Sequence, residues 1–210
     1  MAMASGKEFK VVLAGQFGSG KTTFATRIKS AVCEKKEIKA LKTTEYPVKL
    51  HTSAGQVRLN LFDTNLHAKG GLPHDGFFRT ADAAVVFFDL TSQGSYEAME
   101  EWYDAVVKAN GRKGSEPLPI VVVGTKADDI KRRELKPDAI EFPRKKEHPY
   151  REISAKANYG VKELLLEVCK ALLGDSVQLT DQLDLEKAKI DKIDEEQLEK
   201  LFREYEKASA

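Results

Sequence analysis

The stretch G-Q-F-G-S-G-K-T, from Gly15 to Thr22, combines closely spaced glycines with a lysine and a hydroxyl. Glycines let successive backbone N–H groups wrap around phosphate oxygens, because no Cβ blocks the approach. A lysine at this spacing reaches the outer phosphates of a nucleotide, and the hydroxyl that follows ligates Mg²⁺. An apolar run, Phe9 to Ala14, precedes the stretch, and a helical pattern from about Thr22 to Cys33 follows it. This context predicts a phosphate-binding loop between a strand and a helix.

A carboxylate suited to the same metal follows another apolar strand. Asp63 ends the run L-N-L-F-D. An aspartate at the end of a core strand holds Mg²⁺ through water in P-loop proteins. Thr22 and Asp63 are therefore the expected metal ligands.

Two further stretches suit a guanine base. T-K-A-D, Thr125 to Asp128, follows the apolar run Ile120 to Val123. An aspartate there accepts both the N1 and N2 hydrogens of guanine, and adenine lacks that donor pair. The stem of Lys126 would lie along the base. S-A-K, Ser154 to Lys156, follows the next strand and would offer a backbone N–H to guanine O6.

The elements between these motifs alternate strand and helix. Uninterrupted apolar runs such as Ala83 to Phe88 indicate parallel strands that are covered on both faces. Tyr46 to His51 and Gln56 to Asp63 alternate around T-S-A-G and predict a hairpin. Further expected elements are a helix capped by Ser95, a short strand at Arg151 to Ile153 and a helix from Val161 to Leu173 that stops at Gly174. The alternation predicts an α/β fold with chemistry at the carboxyl ends of the strands.

The chain changes character after Gly174, and residues 181–208 are rich in charge. They carry a thin apolar stripe of Ile190, Ile193, Leu198, Leu201, Phe202 and Tyr205. A solvated helical tail and a helix docked on the domain both fit this pattern. We predict the docked helix, with a nucleotide-binding domain over residues 8–175 and a helical extension over residues 176–210.

Composition narrows the choice of partners. Of the 210 residues, 41% are hydrophobic and 32% are charged, and the net charge of +1 gives no bulk attraction to nucleic acid or membrane. The isolated Cys33 and Cys169 suggest buried thiols in a reducing compartment. Because Ala2 and the closing K-A-S-A offer no lipidation signal, we expect no membrane anchor. All binding elements occur in one chain, so we expect a monomer.

The order G-x-x-x-x-G-K-T, D-T, T-K-x-D and S-A-K resembles that of the small Ras-like GTPases, over residues 8 to about 175. Within that superfamily, Glu34 to Lys36, Tyr46 to Thr52 and Arg144 to Gly160 are similar to the Ran branch. The resemblance implies a P-loop G domain with a six-stranded, mostly parallel sheet whose second strand is antiparallel, flanked by helices. It also implies GTP or GDP and Mg²⁺ as ligands, and transport receptors and exchange or activating proteins as partners, in nucleus and cytoplasm.

The residues expected at the nucleotide are Gly15, Gln16, Phe17, Gly18, Ser19, Gly20, Lys21, Thr22, Thr23, Thr125, Lys126, Asp128, Ser154, Ala155 and Lys156. Four positions beside the outermost phosphate depart from the family. The family has D-T-A-G-Q where this chain has D-T-N-L-H, so that Leu66 replaces a glycine and His67 the water-orienting glutamine. Phe17 stands where the Ran branch has glycine, and Ala40 where the family has a metal-binding threonine.

These departures leave two functions open. One is an active Ran-like GTPase, in which His67 is the candidate catalytic residue. The other is a protein that binds GTP or GDP and its partners without timely hydrolysis. A lipid-anchored GTPase is disfavoured by the missing lipidation cysteine, and a P-loop kinase by T-K-A-D and S-A-K.

Overall fold

A computed structural model describes residues 6–28, 36–38, 43–64, 75–111, 117–180 and 193–208. The strands are β1 (Lys7–Ala14), β2 (Lys36–Ile38), β3 (Thr43–Thr52), β4 (Gly55–Thr64), β5 (Ala83–Asp89), β6 (Ile120–Thr125) and β7 (Tyr150–Glu152). The helices are α1 (Lys21–Ala25), α2 (Asp75–Phe78), α3 (Gln93–Asn110), α4 (Phe142–Lys145), α5 (Val161–Leu173) and α6 (Glu195–Lys207). None of the described helices is long and apolar enough to cross a membrane.

The strands form one twisted sheet in the order β2-β3-β4-β1-β5-β6-β7. β4, β1, β5, β6 and β7 pair in parallel, whereas β3 runs antiparallel to β4. The predicted fold class is confirmed, including the antiparallel second strand. The three-residue β2 adds a short edge strand, antiparallel to β3, to the six that were expected.

Both faces of the central strands are buried, as the uninterrupted apolar runs predicted. Every residue of β5 is buried. Alternate side chains of β1 enter two different apolar clusters, with Val11 and Leu13 on the α1 and α5 side and Val12 and Ala14 on the α3 side. Burial on both sides fixes the register of these strands, because a slip of one residue would exchange the two faces.

The predicted hairpin is confirmed. β3 and β4 pair along their whole length, from Thr43 opposite Thr64 to Thr52 opposite Gly55. The Thr52 hydroxyl donates to the Gly55 carbonyl at 2.8 Å and accepts the Ala54 N–H at 3.1 Å, which closes the turn. The hairpin carries Asp63 towards the phosphate loop, since β4 pairs with β1 at Leu13 and Asp63.

Two helix predictions need correction. The helix expected to run from Thr22 to Cys33 ends at Ala25, and Cys33 lies outside the described residues. The Thr26 hydroxyl donates to the Thr22 carbonyl at 2.9 Å, and such local bonds weaken a helix. Ser92, not Ser95, caps α3, because the Ser92 side chain accepts the Ser95 N–H at 3.2 Å. Ser95 is buried instead, and its hydroxyl accepts the Asp89 N–H at 3.1 Å.

α5 ends at Leu173 with Gly174 beyond it, as expected. Its buried face includes Cys169, and burial raises the pKa of that thiol to about 11. A thiol with so high a pKa is unreactive at neutral pH, which fits a packing role.

The chain beyond α5 is attached to the hairpin. The Ser53 N–H donates to the Gln178 carbonyl at 2.9 Å, and the Thr180 N–H donates to the His51 carbonyl at 2.9 Å. Val177 is buried. Residues 176–180 therefore belong structurally to the sheet, although the boundary at residue 175 itself stays a prediction.

α6 is docked on the domain through one apolar face. Leu198 and Tyr205 are buried, and Ile193 and Phe202 are partly buried against the same cluster. The ring of Tyr205 lies 4.5 Å from that of Tyr150 on β7. The docked position was predicted for the segment 181–208, of which residues 181–192 lie outside the described part, so Ile190 is not placed.

Tyr150 joins this helix to a buried ion pair. Its hydroxyl donates to Glu152 at 3.0 Å, and Glu152 receives two bonds from Arg133 at 2.6 and 2.7 Å. The side chains of Arg133 and Glu152 are only 7% and 2% exposed. A buried pair with this geometry fixes the segment that follows T-K-A-D against the strand that precedes S-A-K.

Candidate nucleotide-binding site

The phosphate loop has the conformation that its glycines allow. Gly15 and Gly20 have φ of 137° and 93°, in the region that side chains avoid. A Cβ on Gly15 would lie 2.4 Å from the Phe87 carbonyl, and one on Gly20 would lie 3.2 Å from the Thr125 side chain. Both glycines are thus required by the close approach of β5 and β6 to the loop.

Lys21 lies folded back over this loop. Its ammonium donates to the carbonyls of Gly15 at 2.7 Å and Gln16 at 2.9 Å, and only 6% of the residue is exposed. Burial lowers the pKa of Lys21, and the nearby carboxylate of Asp63 partly offsets this effect. The ammonium therefore sits inside the loop, where an anion such as a nucleotide phosphate would neutralise it.

The expected metal ligands Thr22 and Asp63 are brought together. The Thr22 hydroxyl donates to the Asp63 carboxylate across the ends of α1 and β4. Asp63 is fully buried, and its second oxygen, Oδ1, has no hydrogen-bond partner among the described residues. Burial raises the pKa of Asp63, while the Thr22 hydroxyl and Lys21 act in the opposite direction. A buried carboxylate with a spare oxygen beside a hydroxyl fits Mg²⁺, a cation that prefers oxygen ligands.

The two base-binding stretches also meet. The Ser154 hydroxyl donates to the Asp128 carboxylate at 2.5 Å and accepts the Ala157 N–H at 3.1 Å. The Ala127 N–H donates to the Ile153 carbonyl at 3.2 Å. These bonds orient the Asp128 carboxylate, which is the group expected to read guanine.

The structure narrows down which backbone amide of S-A-K could donate to a base. The Ser154 N–H donates to the Tyr159 carbonyl at 3.0 Å, so it is already used within the protein. The amide that faces a base must then be that of Ala155 or Lys156. The prediction that S-A-K offers an amide is unchanged, but Ser154 acts through its hydroxyl.

Thr125 connects the base end with the phosphate end. Its hydroxyl donates to the Ser19 carbonyl at 2.8 Å and lies 3.1 Å from the Phe88 carbonyl. Both Ser19 and Thr125 are buried. The separation between the two ends of the site is therefore set by neighbouring strands of the sheet.

Two residues that contact the candidate site were not predicted from the sequence. Asp89, at the end of β5, forms an ion pair with Lys126, which adopts a φ of 59° that is uncommon for a residue with a side chain. Trp102 on α3 lies with its ring 5.8 Å from the Lys21 ammonium. An acid at the end of a core strand was a signal that could have found Asp89, whereas nothing in the sequence pattern connects Trp102 to Lys21.

The positions that depart from the family are only partly placed. Phe17, in the phosphate loop, is 64% exposed. Ala40, Leu66 and His67 lie outside the described residues, so the roles predicted for them stay predictions.

A phosphate loop with a Thr–Asp pair beside it, and an oriented aspartate on the same end of the sheet, is the arrangement of a P-loop nucleotide-binding protein. A sequence model of the Ras family matches residues 10–174. This match spans most of the chain, so the protein belongs to the Ras family and is a small GTP-binding protein.

The burial of Asp63 gives a prediction for the metal-free protein. The protonated carboxyl contributes stability below its unfolded-state pKa, and this contribution is lost as the pH rises through the raised folded-state pKa. Asp63→Asn mimics the neutral form. At pH 7 the nucleotide-free variant should therefore melt at least about 2 °C above the wild type, the shift for roughly 1 kcal/mol in a domain of this size.

The same variant should lose the Mg²⁺ dependence of GDP binding. In the wild type, Mg²⁺ affinity should fall as the pH is lowered, because protons compete for the carboxylate. Asp104→Asn, on an exposed position of α3, is the control and should change neither property. A metal-dependent Asp63→Asn variant, or one less stable than the wild type, would contradict the assignment.

Proposed function

We propose that this protein is a Ran-type guanine-nucleotide switch of nucleocytoplasmic transport whose intrinsic hydrolysis of GTP is slow. The observation that carries the nucleotide part is the convergence of Lys21, the Thr22–Asp63 pair and the Ser154–Asp128 pair on one end of the sheet. Each group comes from a different motif, and the fold brings all of them to the carboxyl ends of β1, β4, β6 and β7.

At the phosphate end, the described residues divide the work of binding. The loop amides would bind phosphate oxygens, and the Lys21 ammonium, which donates to the carbonyls of Gly15 and Gln16, would add its positive charge to them. Thr22 and Asp63 would hold Mg²⁺, which neutralises charge on the outer phosphates when it is bound. The spare Oδ1 atom of Asp63 is available to a metal-bound water.

At the base end, specificity comes from a fixed carboxylate. Because the Ser154 hydroxyl donates to one oxygen of Asp128, the carboxylate cannot rotate freely. A guanine presents two N–H donors to such a group, and a base without them leaves the charge unpaired. The amide of Ala155 or Lys156 would then donate to guanine O6.

The proposal of slow hydrolysis rests on four residues that differ from those of the family. Phe17 puts a large ring where the family has a small residue, Leu66 replaces a glycine, and His67 replaces the glutamine that orients water. Ala40 removes a hydroxyl that would ligate the metal. Loss of transition-state groups of this kind typically costs about 10³ in rate, roughly 4 kcal/mol. The residues expected to bind phosphate, metal and base match the family: Lys21, Thr22, Asp63 and Asp128.

These substitutions also favour a second candidate function. A protein that keeps GTP bound without timely hydrolysis would act as a binding partner rather than as a timed switch. The two candidates share every binding residue and differ only in the hydrolysis rate.

The Ran-type role is supported by the stretch from Arg144 to Gly160 and by the helix that lies on it. The Arg144 guanidinium lies 5.2 Å from the centre of the Tyr205 ring, and that of Arg151 lies 5.3 Å from the Phe202 ring. The extension thus packs on the region that most resembles the Ran branch. We propose transport receptors and exchange and activating proteins as partners, and the nucleus and cytoplasm as the location.

Guanine specificity is tested with Asp128→Asn. An amide presents a donor where the carboxylate presented an acceptor, so the preference should move from guanine to xanthine nucleotides. GDP affinity should fall about 100-fold or more, since bonds to a charged group are lost. Asp129→Asn, at the neighbouring carboxylate that pairs with Arg132, is the matched control and should leave GDP binding intact. Equal affinity of the wild type for ATP and GTP would refute the guanine assignment.

Hydrolysis is tested by single-turnover assay of bound GTP. The wild type should hydrolyse GTP about 10³ times more slowly than a variant with Phe17→Gly, Leu66→Gly and His67→Gln combined. The same variant should bind GTP with nearly unchanged affinity, because Lys21, Asp63 and Asp128 are intact. A wild-type rate equal to that of the triple variant would contradict the proposal of slow hydrolysis. It would not contradict the proposal that the protein binds GTP.

Partner choice is tested by binding to purified import receptors of the transport system. The protein loaded with a non-hydrolysable GTP analogue should bind them at least about tenfold more tightly than the GDP form, a coupling of roughly 1.4 kcal/mol. Equal receptor affinity of the two nucleotide forms, or no receptor binding at all, would contradict the Ran-type role. The proposal that the protein binds guanine nucleotides would not be affected.

A further inference from the structure

We propose that Thr44 and Tyr46 on β3 are positioning residues of the metal site: their paired hydroxyls hold the water through which Asp63 would bind Mg²⁺. This inference rests on the nucleotide-binding function proposed above and extends it at the phosphate end. Neither residue belongs to any of the four nucleotide motifs.

The register of the hairpin places Thr44 beside Asp63. The two residues are direct partners in the antiparallel pair of β3 and β4, so their side chains lie on one face of the sheet with Cβ atoms about 5 Å apart. Thr22 of α1 donates its hydroxyl to Asp63 on that face. Only 9% of Thr44 is exposed. Thr44 therefore brings a second buried hydroxyl to the neighbourhood of the carboxylate.

Tyr46 brings a third hydroxyl to the same face. It follows Thr44 by two residues, so both side chains lie on one side of β3. Only 5% of Tyr46 is exposed, and its ring lies in the apolar cluster that contains Phe24 of α1 and Leu61 of β4. Its phenol is hydrogen-bonded to the Thr44 side chain. The ring therefore extends along the strand towards the end of the sheet where Asp63 lies.

The electrostatics of the phenol agree with this placement. Burial raises the pKa of Tyr46, the Asp63 carboxylate raises it further, and the hydrogen bond with Thr44 lowers it. The phenol is therefore protonated at neutral pH, and a protonated phenol both donates and accepts hydrogen bonds.

The second oxygen of Asp63 is the atom next to which this hydroxyl pair acts. The first, Oδ2, accepts the Thr22 hydroxyl, whereas Oδ1 is buried and has no hydrogen-bond partner among the described residues. Mg²⁺ keeps several of its waters when carboxylates bind it. A metal-bound water would donate to Oδ1, and the paired hydroxyls would fix its orientation. Groups with this role typically contribute about 10- to 100-fold to metal affinity.

The adjacent residue Thr43 offers a matched control. It is 1% exposed, but its side chain lies on the other side of β3, because successive residues of a strand alternate. Its hydroxyl has no hydrogen-bond partner among the described residues. Thr43→Val removes no hydrogen bond, so this variant should be at least as stable as the wild type.

The experiment measures the release of a fluorescent GDP analogue over a range of free Mg²⁺ concentrations and in excess EDTA. Thr44→Val and Tyr46→Phe should each raise the Mg²⁺ concentration for half-maximal retention about tenfold. Release in EDTA should be unchanged, because the phosphate loop and Asp128 are intact. Thr44→Ser, which keeps the hydroxyl, and Thr43→Val should both behave like the wild type. Thermal melting of each variant establishes that it is folded.

The double variant of Thr44→Val and Tyr46→Phe tests whether the two hydroxyls act as a pair. Residues in one hydrogen-bond network have non-additive effects. The increase in the Mg²⁺ requirement should therefore be smaller than the product of the two single increases. An increase equal to that product would contradict the pairing.

The outcomes separate this inference from the function on which it rests. Wild-type protein that binds no guanine nucleotide would overturn the proposed function and this inference with it. Nucleotide release that is equally slow in Mg²⁺ and in EDTA would overturn the inference alone. The same holds if Thr44→Val and Tyr46→Phe need no more Mg²⁺ than the wild type, or if Thr44→Ser is as impaired as Thr44→Val. Faster release by the same factor in Mg²⁺ and EDTA would indicate a merely structural role and would also contradict it.

Discussion

The Thr125 hydroxyl is the contact on which the geometry of the site depends. It links the end of β6 to the Ser19 carbonyl of the phosphate loop, and it lies beside the Phe88 carbonyl of β5. A nucleotide must meet the phosphate loop and the base-reading loop at once, so its affinity depends on their separation. That separation is fixed by strands that are buried on both faces and cannot slip in register. The close approach of Gly20 to the Thr125 side chain is one result of this packing.

The sequence was sufficient to predict the fold and to name candidate site residues that the structure brings together, because the relevant signals are local. Uninterrupted apolar runs mark the central strands, and each motif directly follows such a strand. The predictions that were wrong concern competition between nearby groups: Ser92 and Ser95 are both suitable caps, and the Thr26 hydroxyl bonds within α1. Contacts across the fold, such as the ring of Trp102 beside the Lys21 ammonium, have no local signature.

The phosphate end of the site holds two buried ionisable groups. Asp63 is fully buried with one oxygen unpartnered among the described residues, and Lys21 is held against loop carbonyls. A phosphate beside Lys21 and a cation beside Asp63 would neutralise both charges, so binding of a nucleotide with its metal would add to the stability of the fold.

The tail touches the sheet at two distant places. Gln178 and Thr180 bond to the hairpin turn of β3 and β4, whereas Tyr205 covers Tyr150 on β7, at the far edge. α6 is synthesised after all seven strands, so a nascent chain that has reached Gly174 leaves the aromatic face of β7 in contact with water. Until the ribosome has released α6, that face is a hydrophobic patch of the kind that chaperones bind.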